Sequence, residues 1–431
     1  MAVLAVTGCS STDEADDRSA DSGTEPRTVG FGAYLQRGVT RAGATGELTS
    51  GVLQSEGFGV MGYHSRGELF SEACQPNFMY NQQVSYTAGR WQYEPVKYWP
   101  NETAADRLTF FAYAPYVNVG ATGVVDGDGT TGIGAVAGSA TAGTPWVRYY
   151  GSVVPAASVD LCWAAPVYDQ TKPAVGETVD FLFSHALAKL NVQVDTEADA
   201  SAALDGQTRI YVRQVTFEGF ALKGLLDLGS TGGVPTWLDV LGGSSIGSRP
   251  VTIHDGRRDG KEGALAAPSE QPTGLNPDVV QSAGYTTAPS FGSATPGVTA
   301  TARNLFGDAV TATAPVFVIP TGDALRVTIV YDVETYDEKL VSGHLSDGTT
   351  CGSTIENTVT VVITTGGGTP LVLEAGRQYV VRLHLGLTSV QTEATVTSWE
   401  VTETPVSVDA SHTVTSWGDG GTTAGSVDMG D

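Results

Sequence analysis

A chain of 431 residues with 41% hydrophobic and 8% aromatic side chains can bury large cores without a disulfide scaffold. Only 16% of its residues are charged and 54 are glycine, a balance that favours turn-rich β-sandwiches over helical bundles. The formal net charge of -24 argues against nucleic acid or anionic membrane as the partner, because phosphate binding is built on Lys and Arg.

Residues 1–8 are apolar or small but too short for a secretory signal, so the true start is expected upstream. Val6-Thr7-Gly8-Cys9 resembles the lipobox of bacterial lipoproteins, where small residues admit a signal peptidase to the bond before a cysteine that is then acylated. Cys9 is the expected lipidation site. The acidic run over residues 10–17 has the composition of a disordered tether. It also resembles the signal by which Bacteroidota move lipoproteins to the outer face of the outer membrane. Cys74, Cys162 and Cys351 lack CxxC spacing, so no zinc or thioredoxin-like motif is read, and at most one disulfide can form among them. No later stretch approaches the roughly 20 apolar residues of a spanning helix.

Period-2 alternation then recurs along the chain, and helical periodicity does not. Residues 108–114 form a β-rich run. Tyr168-Asp169-Gln170-Thr171-Lys172-Pro173 is turn-like and marks the expected boundary between a first domain over 27–178 and a second over 179–417. Residues 181–188 alone could start a short helix. In Lys189-Leu190-Asn191-Val192-Gln193-Val194 every second residue is apolar, as in 327–333 and 381–385, which predicts half-buried strands of antiparallel sheets. Residues 209–217, 316–319 and 358–363 are further β-rich runs. Residues 120–143, 229–263 and 268–301, rich in Gly, Ser, Thr or Ala, predict long surface loops. Near the end, Thr395-Val396-Thr397-Ser398-Trp399 returns as Thr413-Val414-Thr415-Ser416-Trp417, a pair of β-prone copies, and residues 418–431 form a polar, Gly-rich tail.

Chemistry-bearing motifs are weak. Gly127-Asp128-Gly129-Thr130-Thr131-Gly132 fits G-x-G-x-x-G but lacks a following amphipathic helix. A calcium loop from Asp126 would need a bidentate Glu where Ala137 stands. The histidines, His64, His185, His254, His344, His384 and His412, are isolated from one another, so no metal ligand set is read. A Ser/His/Asp triad is not readable, and Asp337-Glu338 reads as a solvated turn rather than a glycosidase pair. Trp91-Gln92-Tyr93, Tyr98-Trp99-Pro100 and Phe110-Phe111-Ala112-Tyr113 suit a buried core better than a carbohydrate platform.

Asn77-Phe78-Met79-Tyr80-Asn81-Gln82-Gln83-Val84, Tyr93-Glu94-Pro95-Val96-Lys97-Tyr98-Trp99-Pro100, Leu108-Thr109-Phe110-Phe111-Ala112-Tyr113-Ala114-Pro115 and Phe181-Leu182-Phe183-Ser184-His185-Ala186-Leu187-Ala188-Lys189-Leu190 resemble the fimbrillins of Bacteroidales. The resemblance runs from about residue 27 to about residue 404. It implies an all-β protein of two transthyretin-like antiparallel β-sandwich domains in tandem, made as a lipoprotein precursor and assembled into cell-surface fimbriae that serve adhesion. It further implies an Arg-specific protease that removes the lipidated N-terminus with the first strand, and a groove then filled by a C-terminal strand of a neighbouring subunit. On this chain the first strand falls on residues 28–36, with Val29, Phe31, Ala33 and Leu35 on one face. Cleavage falls after Arg41, leaving Ala42 first, with Arg37 as the alternative. The donor segment falls on residues 395–417, with Val396, Trp399, Val401, Val414 and Trp417 as inserted side chains. The implied partners are other fimbrial subunits in a homo- or hetero-polymer, the maturation protease and, in the precursor, the outer membrane through lipid. No catalytic residue, cofactor or metal is implied. The rival reading is a glycan-binding surface lipoprotein that keeps its anchor and uses Trp91 or Trp99; a surface hydrolase is a third.

Overall fold

The computed structural model describes residues 26–35, 46–101, 105–125, 131–174, 176–196, 208–240, 244–255, 303–305, 315–340, 351–365, 368–387, 390–398 and 406–408. In chain order, β1 (Phe31–Leu35) precedes a helix, α1 (Ser50–Glu56), and then β2 (Phe58–His64), β3 (Met79–Thr87), β4 (Arg90–Gln92) and β5 (Leu108–Ala114). Next come β6 (Gly132–Val136), β7 (Trp146–Tyr150), β8 (Cys162–Ala164), β9 (Val167–Gln170) and β10 (Val179–His185). Ala186 and Leu187 step directly into β11 (Ala188–Thr196), followed by β12 (Thr208–Glu218), β13 (Phe220–Ala221), β14 (Lys223–Asp227), β15 (Thr236–Leu238) and β16 (Val251–Asp255). The remaining strands are β17 (Arg303–Asn304), β18 (Val316–Pro320), β19 (Arg326–Thr335), β20 (Ser353–Val362), β21 (Arg377–Leu385), β22 (Val390–Ser398) and β23 (Val406–Val408).

The first sheet has the order β1-β10-β8-β5-β2-β3-β4, with β9 also on β5. One face carries Phe58, Val60, Phe110, Phe181 and Phe183, which pack with Leu48, Leu53 of α1 and Trp99 into an aromatic core. The opposite face carries Tyr63, Phe111, Tyr113 and Trp163 against Val147, Tyr149, Leu226 and Trp237 of a second sheet, β15-β14-β7-β6. All seven residues of β5 are therefore buried, and its sequence is apolar at every position but Thr109 in place of an alternating one.

A third sheet, β13-β18-β11-β21-β22-β23 with β17 on β11, faces a fourth, β16-β12-β19-β20, across a core that includes Leu190, Val192, Ile329, Tyr331, Val381 and Leu383. The alternating runs at 189–194, 327–333 and 381–385 are strands, β11, β19 and β21, but β11 and β21 pair parallel with each other, not antiparallel, and β11 is buried on both faces, not half-buried. β18 contributes to two cores at once: Val316 and Val318 enter this one, while Phe317 and Ile319 enter the core between the first two sheets. Strand pairing does not follow a single cut at 178/179. β10, just past it, pairs with β1 and β8, and β14 joins β7 of the second sheet. Two pairings are parallel, β1 with β10 and β11 with β21, in otherwise antiparallel sheets. Long crossovers through intervening strands make both possible.

Other expectations are corrected. Residues 181–188 do not start a helix: Val179, Phe181 and Phe183 point inward while Asp180 and Leu182 point out, and this period of two puts residues 179–185 in β10. The turn-like text at 168–170 is strand, β9, on β5. β6 interrupts the expected loop at 120–143, and β15 and β16 interrupt that at 229–263. The expected loop at 268–301 lies outside the described residues. α1 rests on local signals: the Thr49 hydroxyl accepts from the Val52 N–H at 3.2 Å, and Gly57, at φ +71°, closes it by donating to the Leu53 carbonyl.

Candidate assembly site

β1 forms one edge of the first sheet, paired along one side, and the residues just before it are tied by backbone bonds of their own. Along one side it runs parallel to β10, in register from Phe31 opposite Val179 to Leu35 opposite Phe183. Just upstream, the Val29 N–H donates to the Lys97 carbonyl at 2.9 Å and the Trp99 N–H donates to the Arg27 carbonyl at 2.8 Å. The Tyr93 hydroxyl donates to the Val29 carbonyl at 2.7 Å, and the Arg27 guanidinium donates to the Pro173 carbonyl.

The side chains divide by face. Val29 and Phe31 are buried, and Ala33 and Leu35 are half-buried against the same core. The Phe31 ring lies 5.4 Å from Tyr93, 5.5 Å from Phe110 and 5.7 Å from Phe181, centroid to centroid, so it is the central plug of an aromatic groove. On the outer face Tyr34 and Leu182, register partners, are 60% and 55% exposed. Burial and the Lys97 N–H, which donates to the hydroxyl at 3.3 Å, act in opposite senses on the Tyr93 phenol, and burial prevails and raises its pKa. The groove is thus apolar and holds its hydroxyl neutral.

Between Leu35 and Gly46 lie the arginines of the expected cleavage. Arg37, Arg41 and Ala42 lie between, outside the described residues, as does Cys9. From Gly46 onward the chain is tied down: the Asp160 N–H donates to the Gly46 carbonyl at 2.9 Å, the Leu48 N–H donates to Asp160 Oδ2 at 3.1 Å, and Lys189 Nζ donates to Glu47 Oε2 at 2.8 Å. The two anchored stretches, 26–35 and 46 onward, flank the residues expected to be cut.

The expected donor segment begins inside the third sheet. Val396 lies on β22, opposite Tyr379 of β21, and packs half-buried on the C-terminal core; β23 follows as the edge strand. Trp399, Val401, Val414 and Trp417 lie outside the described residues. The tryptophans of the glycan reading are engaged in the core. Trp99 is 5% exposed against Phe110, and Trp91 is wedged between Phe58 at 5.0 Å and Tyr86 at 5.1 Å. At the G-x-G-x-x-G motif, Gly132 opens a strand, where a dinucleotide site requires a helix.

Sequence reading missed one constellation. Asp160, Cys162 and His185, all buried, bring a carboxylate, a thiol and an imidazole within 4.8 Å of one another. Cys74, Cys162 and Cys351 form no disulfide among the described residues.

Residues 40–245 match the family model described as fimbrillin-like. Over 221 residues the chain is 28% identical to the fimbrium subunit Fim1C of Phocaeicola vulgatus; the match covers 49% of this chain and 53% of that relative, about half the relative's length. Among solved structures it is similar to a fimbrial protein from Bacteroides vulgatus, with 20% identity and a TM-score of 0.49, covering 86% of this chain and 99% of that one.

Proposed function

From a chain that is fimbrillin-like over residues 40–245, we propose a structural subunit of a cell-surface fimbrium, assembled by proteolytic loss of β1 and strand exchange between subunits. The observation that carries this reading is the seating of β1: an edge strand whose Val29 and Phe31 fill an aromatic groove and whose connection to residue 46 contains Arg37 and Arg41. A cut after Arg41 would make Ala42 the first residue of the mature chain and free β1 with everything before it, including the lipid on Cys9. The first subunit would then keep its fold through the ties at Gly46, Glu47 and Leu48.

Loss of β1 opens a row of backbone donors and acceptors on β10 and empties the Phe31 position. Four side chains, two buried and two half-buried, leave the core; at about 1.5–3 kcal/mol for each fully buried one, this is a loss on the order of 5–10 kcal/mol. An incoming strand recovers it by pairing with the vacated edge and filling the same positions; the donor is the 395–417 segment, whose residues 395–398 and 406–408 pair within the third sheet of their own chain and would have to exchange. Adhesion follows from the position of such a polymer at the cell surface.

The test is incubation of the full chain with a trypsin-like protease. Ladders resistant to SDS should appear as the fragment ending at Arg41 is released, and Arg41→Ala should stay monomeric, or do so once Arg37 is also replaced. Clean cleavage there without any polymer would sink the proposal.

A further inference from the structure

Asp160, Cys162 and His185 meet at the end of the aromatic core. Cys162 and His185 are register partners across β8 and β10, which sets their Cβ atoms about 4.5–5.5 Å apart on one face. That face of β10 also carries Phe181 and Phe183. Asp160 stands two residues before Cys162. His185 Nδ1 lies 2.7 Å from Asp160 Oδ2 and 3.4 Å from Cys162 Sγ, and Sγ lies 4.0 Å from the same carboxylate oxygen. Exposure is 1% for Asp160, 0% for Cys162 and 5% for His185.

A nucleophilic relay needs the two imidazole nitrogens turned to different partners, one to the thiol and one to the acid. Here thiol and carboxylate approach the same nitrogen, Nδ1, so the cluster is not wired as a relay. Three donor atoms converging on one point instead describe a ligand set. Around a tetrahedral zinc ion, with bonds of about 2.0–2.3 Å, neighbouring ligand atoms stand about 3.3–3.6 Å apart. The observed 2.7, 3.4 and 4.0 Å bracket that spacing, so shifts of about half an ångström would seat the ion.

The surroundings fit the same use. The Leu161 N–H donates to Asp160 Oδ1 at 2.8 Å and the Leu48 N–H donates to Oδ2, which fix the carboxylate as outer partners fix a ligand. His185 and Ser184 also line a cavity of about 900 Å³ beside Trp237, Pro320 and Glu374, a route for an ion and a source of water for a fourth position. A lone carboxylate beside a thiol and an imidazole suits a soft or borderline cation, not calcium or magnesium.

We infer that Asp160, Cys162 and His185 form a binding site for zinc or a similar thiophilic divalent cation, independent of the assembly reading. Binding displaces one proton from Cys162 Sγ to solvent. His185 ligates as a neutral imidazole through Nδ1, with its proton on Nε2.

Cobalt(II) titration of the full, metal-stripped chain tests this, because thiolate ligation gives a near-ultraviolet charge-transfer band. One equivalent should bind with that band, and zinc should displace it. Cys162→Ala should abolish the band, and Asp160→Asn should weaken binding at least about tenfold. A variant without Cys9, Cys74 and Cys351 should retain it, which keeps the test decisive where Cys162→Ala fails to fold. A flat titration of folded wild-type protein, a band that survives Cys162→Ala, or one lost with the other three thiols would overturn the site.

Discussion

Phe31 shows how far one side chain can be read and what it controls. Its place on the inward face of the first strand is legible in the alternation Val29, Phe31, Ala33, Leu35; its three ring partners, Tyr93, Phe110 and Phe181, are far off in sequence and are known only once the sheet closes. Phe31→Ala should lower unfolding stability by about 3 kcal/mol, at the low end for buried aromatics because the strand is an edge, as measured by urea denaturation. The Asp160, Cys162 and His185 cluster was illegible for the same reason. The residues fit no local spacing, and the pairing of β8 with β10 brings them together. His384 is a second such case. Burial lowers its pKa, but the hydrogen bond to Asp195 and the charges of Asp195 and Glu393 outweigh both burial and Arg382, and hold it above the usual 6.5. A raised histidine stabilises the fold fully below about pH 6.5, and the contribution is lost as pH rises through its folded value. Between about pH 6 and pH 9, the urea midpoint of wild type should therefore fall more than that of His384→Gln.

At the scale of elements, strands with one wet face were legible and the exceptions have physical causes. β21 has such a face and alternates in burial as well as in sequence; β11 and β19 alternate in sequence although their polar positions, Asn191, Gln193, Asp332 and Glu334, are buried too. β10 also alternates, but its Phe181-Leu182-Phe183 run was open to a helical reading until its inward and outward positions were seen. Seven residues are too few to show a helical period, and so α1 was missed although its caps, Thr49 and Gly57, are visible in the sequence. Gly57 joins α1 to β2 at φ +71°, and a Cβ there would stand 2.5 Å from the Val84 carbonyl oxygen. Gly57→Ala should therefore cost more than about 1 kcal/mol in thermal unfolding, unlike a replacement at Gly120, which has open space and no positive φ.

For the whole molecule, all-β class followed from composition and period, but the grouping of strands did not. A local text such as 168–173 can suggest a turn. It cannot show that β14, far downstream, completes the sheet begun by β6 and β7. A fragment of residues 27–178 would lack β10, β14, β15 and the Phe317 and Ile319 side chains of β18, all of which cover its cores. It should fail to fold, as judged by circular dichroism and gel filtration. Because β18 feeds both cores, calorimetry of the intact chain should show one cooperative transition in place of two.

The parallel pairing of β1 with β10 has a consequence in time. Phe31 meets Val179 only after the whole intervening chain has been gathered, and the entropy of closing so long a loop delays contacts of this kind. β1 is therefore among the last pieces to settle and, held at an edge, among the first to fray. The order in which the fold is made already sets β1 apart from the rest of the protein.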